Sequence, residues 1–423
     1  MSTVDVPTIG AGRTARTGAR AELVPLIDQP VSSASNFALN TLVARASTAA
    51  TFATFTIAST AYLVLQGALR GGLHLRLLAH DDAATRRAAI PRLLGAVLVV
   101  SALVGGALGA VLLFGHALAA AVLCFLLPVV LLQDAQRFAA FVTRRDGDAL
   151  AADVAWLGAT VALVAGWAVF GGTLTPAVVT SLWAGGAGFA VVLLIARRYA
   201  PGRAGAPIAS WTSRRVALAG SSEFLVAAAV TFGAPILAAF KYGAPGVAAM
   251  RASFVFFAPC LALLPGLHTP AIRLLGRVRG PQVRSAQHAL AGLFSIGAAA
   301  AVVVLVAARH TLGPLLLGDL WQSTAPLIAP AACFIVARFV ELPAYGAVRV
   351  NDRPRSLLVL RLATSAVLLG AFVVAMVAGW TLADAYWALA GAALVCAVAS
   401  HIPQWDRAQG HRTRKHRTRG ERA

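Results

Sequence analysis

Asp28, Glu223, Arg251, Arg338 and Glu341 are ionisable residues inside long apolar runs. An Asp or Arg centred in hydrocarbon costs roughly 2.5–3.5 kcal/mol on the insertion scale. Such a side chain must therefore face protein or water, and it is available to bind something. An acidic one such as Asp28 or Glu223 can take up a proton or a sodium ion. A basic one such as Arg251 can hold an anion, although an Arg near a span end can also snorkel to the interface. Asn36, Asn40, Gln66 and Arg70 add amides and a further cation along the first two apolar runs. They either line a cavity or bond between helices as glue. Arg338 and Glu341 are three residues apart, on one helix face, and can pair with each other. Asp134 and Arg137 share that spacing and are expected to form an ion pair at the inner face.

The elements that position these residues are membrane helices. The chain has 423 residues, a mean hydropathy of +0.76, 59% hydrophobic residues and 12% charged ones. Soluble proteins carry about 25% charged residues. Apolar runs of roughly 20 residues recur from end to end. The reading is an all-α polytopic membrane protein with about twelve transmembrane helices: 24–44, 49–69, 93–115, 117–133, 149–170, 176–196, 216–239, 246–268, 287–308, 323–343, 357–377 and 383–402. With the N-terminus inside, the inner segments hold 30 basic residues and the outer loops three, Arg45, Lys241 and Arg309. That asymmetry places both termini on the cytoplasmic side of the cell membrane.

The net charge of +20 comes almost entirely from Arg in loops and tails. Topology and contact with anionic lipid headgroups account for it better than nucleic acid does. The basic segment 197–215 divides the chain into two six-helix lobes, 24–196 and 216–402, flanked by tails 1–23 and 403–423. The second lobe opens as the first does, with a polar-marked span, a short outer turn and a second span. An offset of 195 residues sets Asn36 over Thr231 and Tyr62 over Phe257. Parallel repeats of this kind are common in transporters.

Several chemistries are disfavoured. Neither Lys241 nor Lys415 follows the glycine frame of an ATP-binding loop. No HExxH is present, and Cys124, Cys260, Cys333 and Cys396 form no CxxC. We therefore expect no cofactor, no metal site and no catalytic residue. Residues 1–22 are polar and lack the form of a cleavable signal peptide. Pro30, Pro128, Pro235, Pro259, Pro265, Pro326 and Pro330 fall within spans and should kink them.

The stretch DQPVSSASNFALNTLVARASTAATF, from Asp28, resembles the opening of bacterial polysaccharide-biosynthesis membrane proteins. These are the O-antigen or lipid-linked-oligosaccharide flippase type within the multidrug/oligosaccharidyl-lipid/polysaccharide (MOP) flippase superfamily. The resemblance is carried by Asp28–Gln29, Ser35–Asn36–Phe37 and Val43–Ala44–Arg45. Gln133–Phe141 and Leu315–Pro330 look similar as well. The chain departs from the pattern at 46–52, where the family usually has a Leu-Gly-Pro turn, and in having twelve spans where many relatives have fourteen. The resemblance implies two six-helix lobes around a cavity that opens alternately to each side. It implies a lipid-linked glycan as cargo, with polysaccharide polymerase or export proteins as partners and a proton or sodium ion for coupling. Arg70, Arg251 or Arg338 would neutralise the pyrophosphate. The alternatives are a small-molecule drug or cation antiporter of the same superfamily and a non-transporting scaffold of envelope biogenesis.

Overall fold

The computed structural model describes residues 11–70, 83–202, 214–278, 282–350 and 354–402. The expected C-terminal tail, residues 1–10 of the expected N-terminal tail and most of the expected linker lie outside them, whereas 11–23 of the N-terminal tail are helical. The described chain is helical, and among the described residues there is no strand. The helices are α1 (Ala11–Arg45), α2 (Ala49–Leu69), α3 (Ala83–Phe114), α4 (Leu118–Phe125), α5 (Leu127–Val142), α6 (Asp146–Val169) and α7 (Pro176–Ala196). They continue with α8 (Arg214–Phe256), α9 (Ala258–Arg277), α10 (Gln282–Ala307) and α11 (Arg309–Leu317). After short turns over 318–327 come α12 (Ile328–Val350), α13 (Pro354–Val377) and α14 (Leu382–Ala399).

Local chemistry sets the helix ends. Thr48 starts α2, its hydroxyl accepting from the Thr51 N–H at 3.3 Å. Thr175 caps α7 in the same way, with Pro176 as the first helical residue. Pro128 and Pro259 act as expected of residues that lack a backbone donor. Each stands just after a break, so α4 and α5 meet at 43°, and the last part of α8 meets α9 at 68°. Within α8 the ladder is broken at Gly243, whose φ of 64° suits glycine.

Eight helical segments among the described residues are long and apolar enough to cross a bilayer, and ten if each bent pair counts as one. The difference from twelve has two sources. The polar residues of α1 leave it less apolar than those eight. The expected spans 216–239 and 246–268 run together through α8 into α9. Apolar side chains point outward in numbers no aqueous surface would carry, among them Phe114, Val169, Phe170, Phe240 and Val377, each more than 80% exposed. Polar residues such as Asp28, Gln133, Gln136 and Asp153 are inside. This is an integral membrane protein, in which backbone groups are satisfied within helices and lipid covers the apolar exterior.

The chain forms two compact units, one of 1–267 with 304–328, the other of 268–303 with 329–423. This division differs from the expected cut at 197–215, because α8 packs along α2 within the first unit. That unit also packs α6 on α7 and α1, and α3 on α4 and α5. The Gly105–Gly109 pair allows the last of these approaches. A Cβ at Gly105 would lie 2.3 Å from the Cys124 carbonyl oxygen, and one at Gly109 would lie 2.8 Å from the Phe125 ring. In the second unit α13 packs on α14, and Tyr345 and Val348 of α12 pack with Leu357 and Leu360 of α13.

Candidate functional site

The first unit buries a network of charged residues drawn from three helices. Gln133, Gln136 and Arg137 follow one another at helical spacing on α5, so they share a face. Arg137 donates from Nε to Asp28 Oδ2 of α1 at 3.0 Å, and its Nη2 bonds the same oxygen. Its Nε also stands 2.8 Å from Asp153 Oδ2 of α6. Gln133 Nε2 donates to Asp153 Oδ1 at 2.9 Å. One guanidinium thus serves two carboxylates. Asp28, Arg137 and Asp153 are all buried, and neither Asp28 Oδ1 nor Asp153 Oδ2 has a hydrogen-bond partner. Gln136 continues the network by donating to the Tyr199 carbonyl at 2.7 Å.

A second ion pair borders the first. Arg70, at the end of α2, bonds both oxygens of Asp134, with Nε 2.9 Å from Oδ2. This corrects the expected pairing of Asp134 with Arg137. Each residue turns instead to an opposite charge on another helix, Asp134 to Arg70 and Arg137 to Asp28 and Asp153. Gln66 donates to the Tyr62 hydroxyl at 3.1 Å, one turn before Arg70. Tyr62 in turn meets the Trp183 ring edge-on, and Trp183 packs on Trp156.

Asn40 and Arg251 form a separate contact in the same unit. Arg251 Nη2 donates to Asn40 Oδ1 at 3.0 Å. The Asn40 amide donates to Asn36 O at 2.7 Å, and the Asn36 amide to Ser32 O at 3.3 Å, so both amides are held by α1 itself. Arg251 Nε is buried without a hydrogen-bond partner, and no ion pair of Arg251 occurs among the described residues. An open cavity of about 450 Å³ lies elsewhere in this unit, at the starts of α2, α4 and α7, with Thr51, Thr54 and His116 in its wall. None of the charged residues above lines it.

In the second unit Arg338 and Glu341 pair as their spacing allows. Glu341 also accepts from the Tyr345 hydroxyl, and the Arg361 guanidinium lies 4.2 Å over the Tyr345 ring. Just past α14, a ring nitrogen of His401, Nε2, lies 2.9 Å from the Val340 carbonyl oxygen, which can only accept. Nε2 therefore carries the hydrogen, and Nδ1 accepts from Gln287 at 2.9 Å. Burial lowers the His401 pKa below the ordinary histidine value, and neighbouring His288 adds to this.

The structure thus brings Asp28 and Arg137 together, and Arg70 with Asp134. It sets Asn40 on Arg251 and Arg338 on Glu341. Glu223 lies on α8 among residues whose side chains are not described. Sequence reasoning passed over Asp153, Gln133 and Gln136 as site residues. Asp153 had a usable signal, since it is the one acid within the expected span 149–170. Among the described residues no group of three His, Cys, Asp or Glu side chains is placed to hold a metal ion.

No protein-family model matches the chain, and no curated protein matches it. Solved structures do. The inward-facing conformation of a multidrug resistance MATE family transporter of the MOP superfamily is 14% identical, with a TM-score of 0.71 over 93% of this chain and 99% of that one. The outward-facing conformation of such a transporter is 14% identical, with a TM-score of 0.61 over 94% and 96%. A MOP superfamily transporter from Pyrococcus furiosus Vc1, in which reverse polarity of the binding pocket suggests a different function, is 14% identical, with a TM-score of 0.61 over 92% and 94%. The chain is an all-α membrane protein with the fold of the MATE transporters of the MOP superfamily.

Proposed function

We propose that this protein is a secondary transporter that works by alternating access and exports a small molecule in exchange for a coupling cation. The observation that carries the proposal is the buried cluster of two carboxylates on one guanidinium, Asp28 and Asp153 on Arg137. A buried group with uncompensated charge is unfavourable unless it is paired or binds an ion. A cation gradient can therefore act at this cluster, and an inert scaffold has no use for it. The solved MATE neighbours, some named for multidrug resistance, support a small-molecule cargo. The broken spans at Pro128 and Pro259 suit a protein that moves between two states.

The full chain, reconstituted in liposomes with both termini on the cytoplasmic side, should move ethidium down an imposed cation gradient. Asp28→Asn and Asp153→Asn should stop that movement while leaving insertion intact. If both variants transport at the wild-type rate, the cluster is not the coupling site.

A second reading has its own observation. Arg251 is a membrane cation bonded to a neutral amide, which leaves its charge available to an anion. Together with the resemblance of residues 28–52, this favours a lipid-linked glycan carried by its pyrophosphate, with polymerase or export proteins as partners. Arg70 and Arg338 serve this reading less well because carboxylates already hold them. A fluorescent lipid pyrophosphate should then be flipped by the wild type and not by Arg251→Gln. Flipping by both would remove this reading.

A further inference from the structure

We infer that Arg45 is the latch of an outer gate: its guanidinium ties the end of α11 to the end of α1, and this tie must open for cargo to leave on that side. The inference rests on the reading of the protein as an alternating-access transporter, and it names a closure that such a cycle has to break.

Residues 304–328 belong by sequence to the second expected lobe, yet they fold into the first unit. The contacts that hold them there gather at one end of α1. Arg45 Nη1 donates to the Leu315 carbonyl. Leu315 lies in the last turn of α11, where a carbonyl lacks a partner within its own helix and a cation is favoured. Gly318 follows with a φ of 56°, and a Cβ there would lie 3.7 Å from Arg45 Cα. Trp321 packs over Gly313, where a Cβ would lie 2.4 Å from the ring. The same ring tilts against Phe256 of α8, with centroids 6.0 Å apart. Five residues before Arg45, Asn40 takes a donor from Arg251 of α8. Behind the latch the packing is apolar and tight, with Val43, Ala44, Met250 and Leu317 at most 1% exposed. On the orientation expected from the basic residues, this end of α1 is the outer one.

The contacts differ in what they join. Arg70 with Asp134, and Arg137 with Asp28, link helices of the first expected lobe alone, so they survive a movement of one lobe against the other. Arg45 with Leu315, and Asn40 with Arg251, link the first lobe to the second, so such a movement at this end breaks them. Arg45 is exposed, and its bond exchanges readily for bonds to water at a small net cost. A closure held in this way yields to a modest difference in binding between two states.

The test uses the full chain with Cys124, Cys260, Cys333 and Cys396 changed to Ala. Arg45→Cys combined with Gly318→Cys sets two thiols within reach of a disulfide. In liposomes, oxidation should cross-link this pair and stop gradient-driven ethidium transport, and reduction should restore it. Neither single variant should respond to oxidation. Cross-linked protein that transports at the reduced rate would overturn the inference and leave the transport reading standing. A wild-type chain that moves no ethidium removes the transport reading instead, and the latch is then tested without cargo. Spin labels at Ala50→Cys and Thr311→Cys, both exposed, report the separation of α2 and α11 by double electron–electron resonance. One short distance is expected with Arg45 in place, and a second, longer population with Arg45→Gln. A distribution that Arg45→Gln leaves unchanged would overturn the latch, and this measurement stands if the cysteine pair fails to insert.

Discussion

The two units each bury carboxylate and guanidinium groups, and they arrange them in opposite ways. In the second unit one carboxylate, Glu341, has both oxygens occupied, one by Arg338 and one by the Tyr345 hydroxyl, with Arg361 stacked on the tyrosine. In the first unit two carboxylates share Arg137, and Asp28 Oδ1 and Asp153 Oδ2 are both buried without a hydrogen-bond partner. A satisfied cluster holds helices together and has little reason to change. A cluster with a surplus charge and two orphan oxygens has two states to choose between. The comparison separates an ion pair built for packing from one able to bind.

The strongest way to break that comparison is to exchange the roles. Asp28→Asn should reduce gradient-driven ethidium transport by about tenfold or more, an energetic change above about 1.4 kcal/mol. Glu341→Gln should leave the transport rate near wild type in protein that inserts. Equal loss in the two variants would mean that both clusters serve transport.

Stability gives the next largest contrast. Arg137→Ala removes the partner of two buried carboxylates, and breaking a buried pair in this way costs about 3–5 kcal/mol. Thermal unfolding in detergent should register a clear loss, partly recovered at low pH as the carboxylates protonate. Arg70→Gln should cost far less. The Arg70 side chain is 43% exposed, and exposed pairs contribute up to about 1 kcal/mol. A large destabilisation by Arg70→Gln would place it in the buried network.

The smallest effect belongs to His401. Its folded-state pKa is lowered by burial, so the unfolded chain binds the proton more readily. The contribution of neutral His401 is complete above the ordinary histidine pKa and is lost as pH falls below it toward the folded value. Unfolding measured across that window should show a mild acid destabilisation, which His401→Gln flattens. An unchanged profile in the variant would assign the dependence to another group.

Much of the fold was legible from periodicity and charge. Runs of apolar residues marked the helices, and Pro128 and Pro259 marked the breaks at 126–128 and 257–259. The span expected at 24–44 lies within α1, although Asp28, Gln29 and the serines lower its mean hydropathy, and at α8 two expected spans run through one broken helix. The charged site was half legible. Asp28 and Arg137 stood out as ionisable residues in or beside apolar runs, whereas Asp153, near the end of an expected span, was not singled out. Gln133 and Gln136 gave no signal of their own, since an amide at a helix end is ordinary.

Residue type and spacing by themselves determined that this chain crosses a membrane as helices, which residues would be costly to bury, and that Arg338 could reach Glu341. Those are local properties, set by transfer energy and by the 3.6-residue turn. Tertiary packing decided the partners. Arg137 and Asp134 are one turn apart and could have paired, yet each turns to a carboxylate or guanidinium on another helix. The distances that settle this choice, from α5 to α1, α2 and α6, are set by how the helices pack.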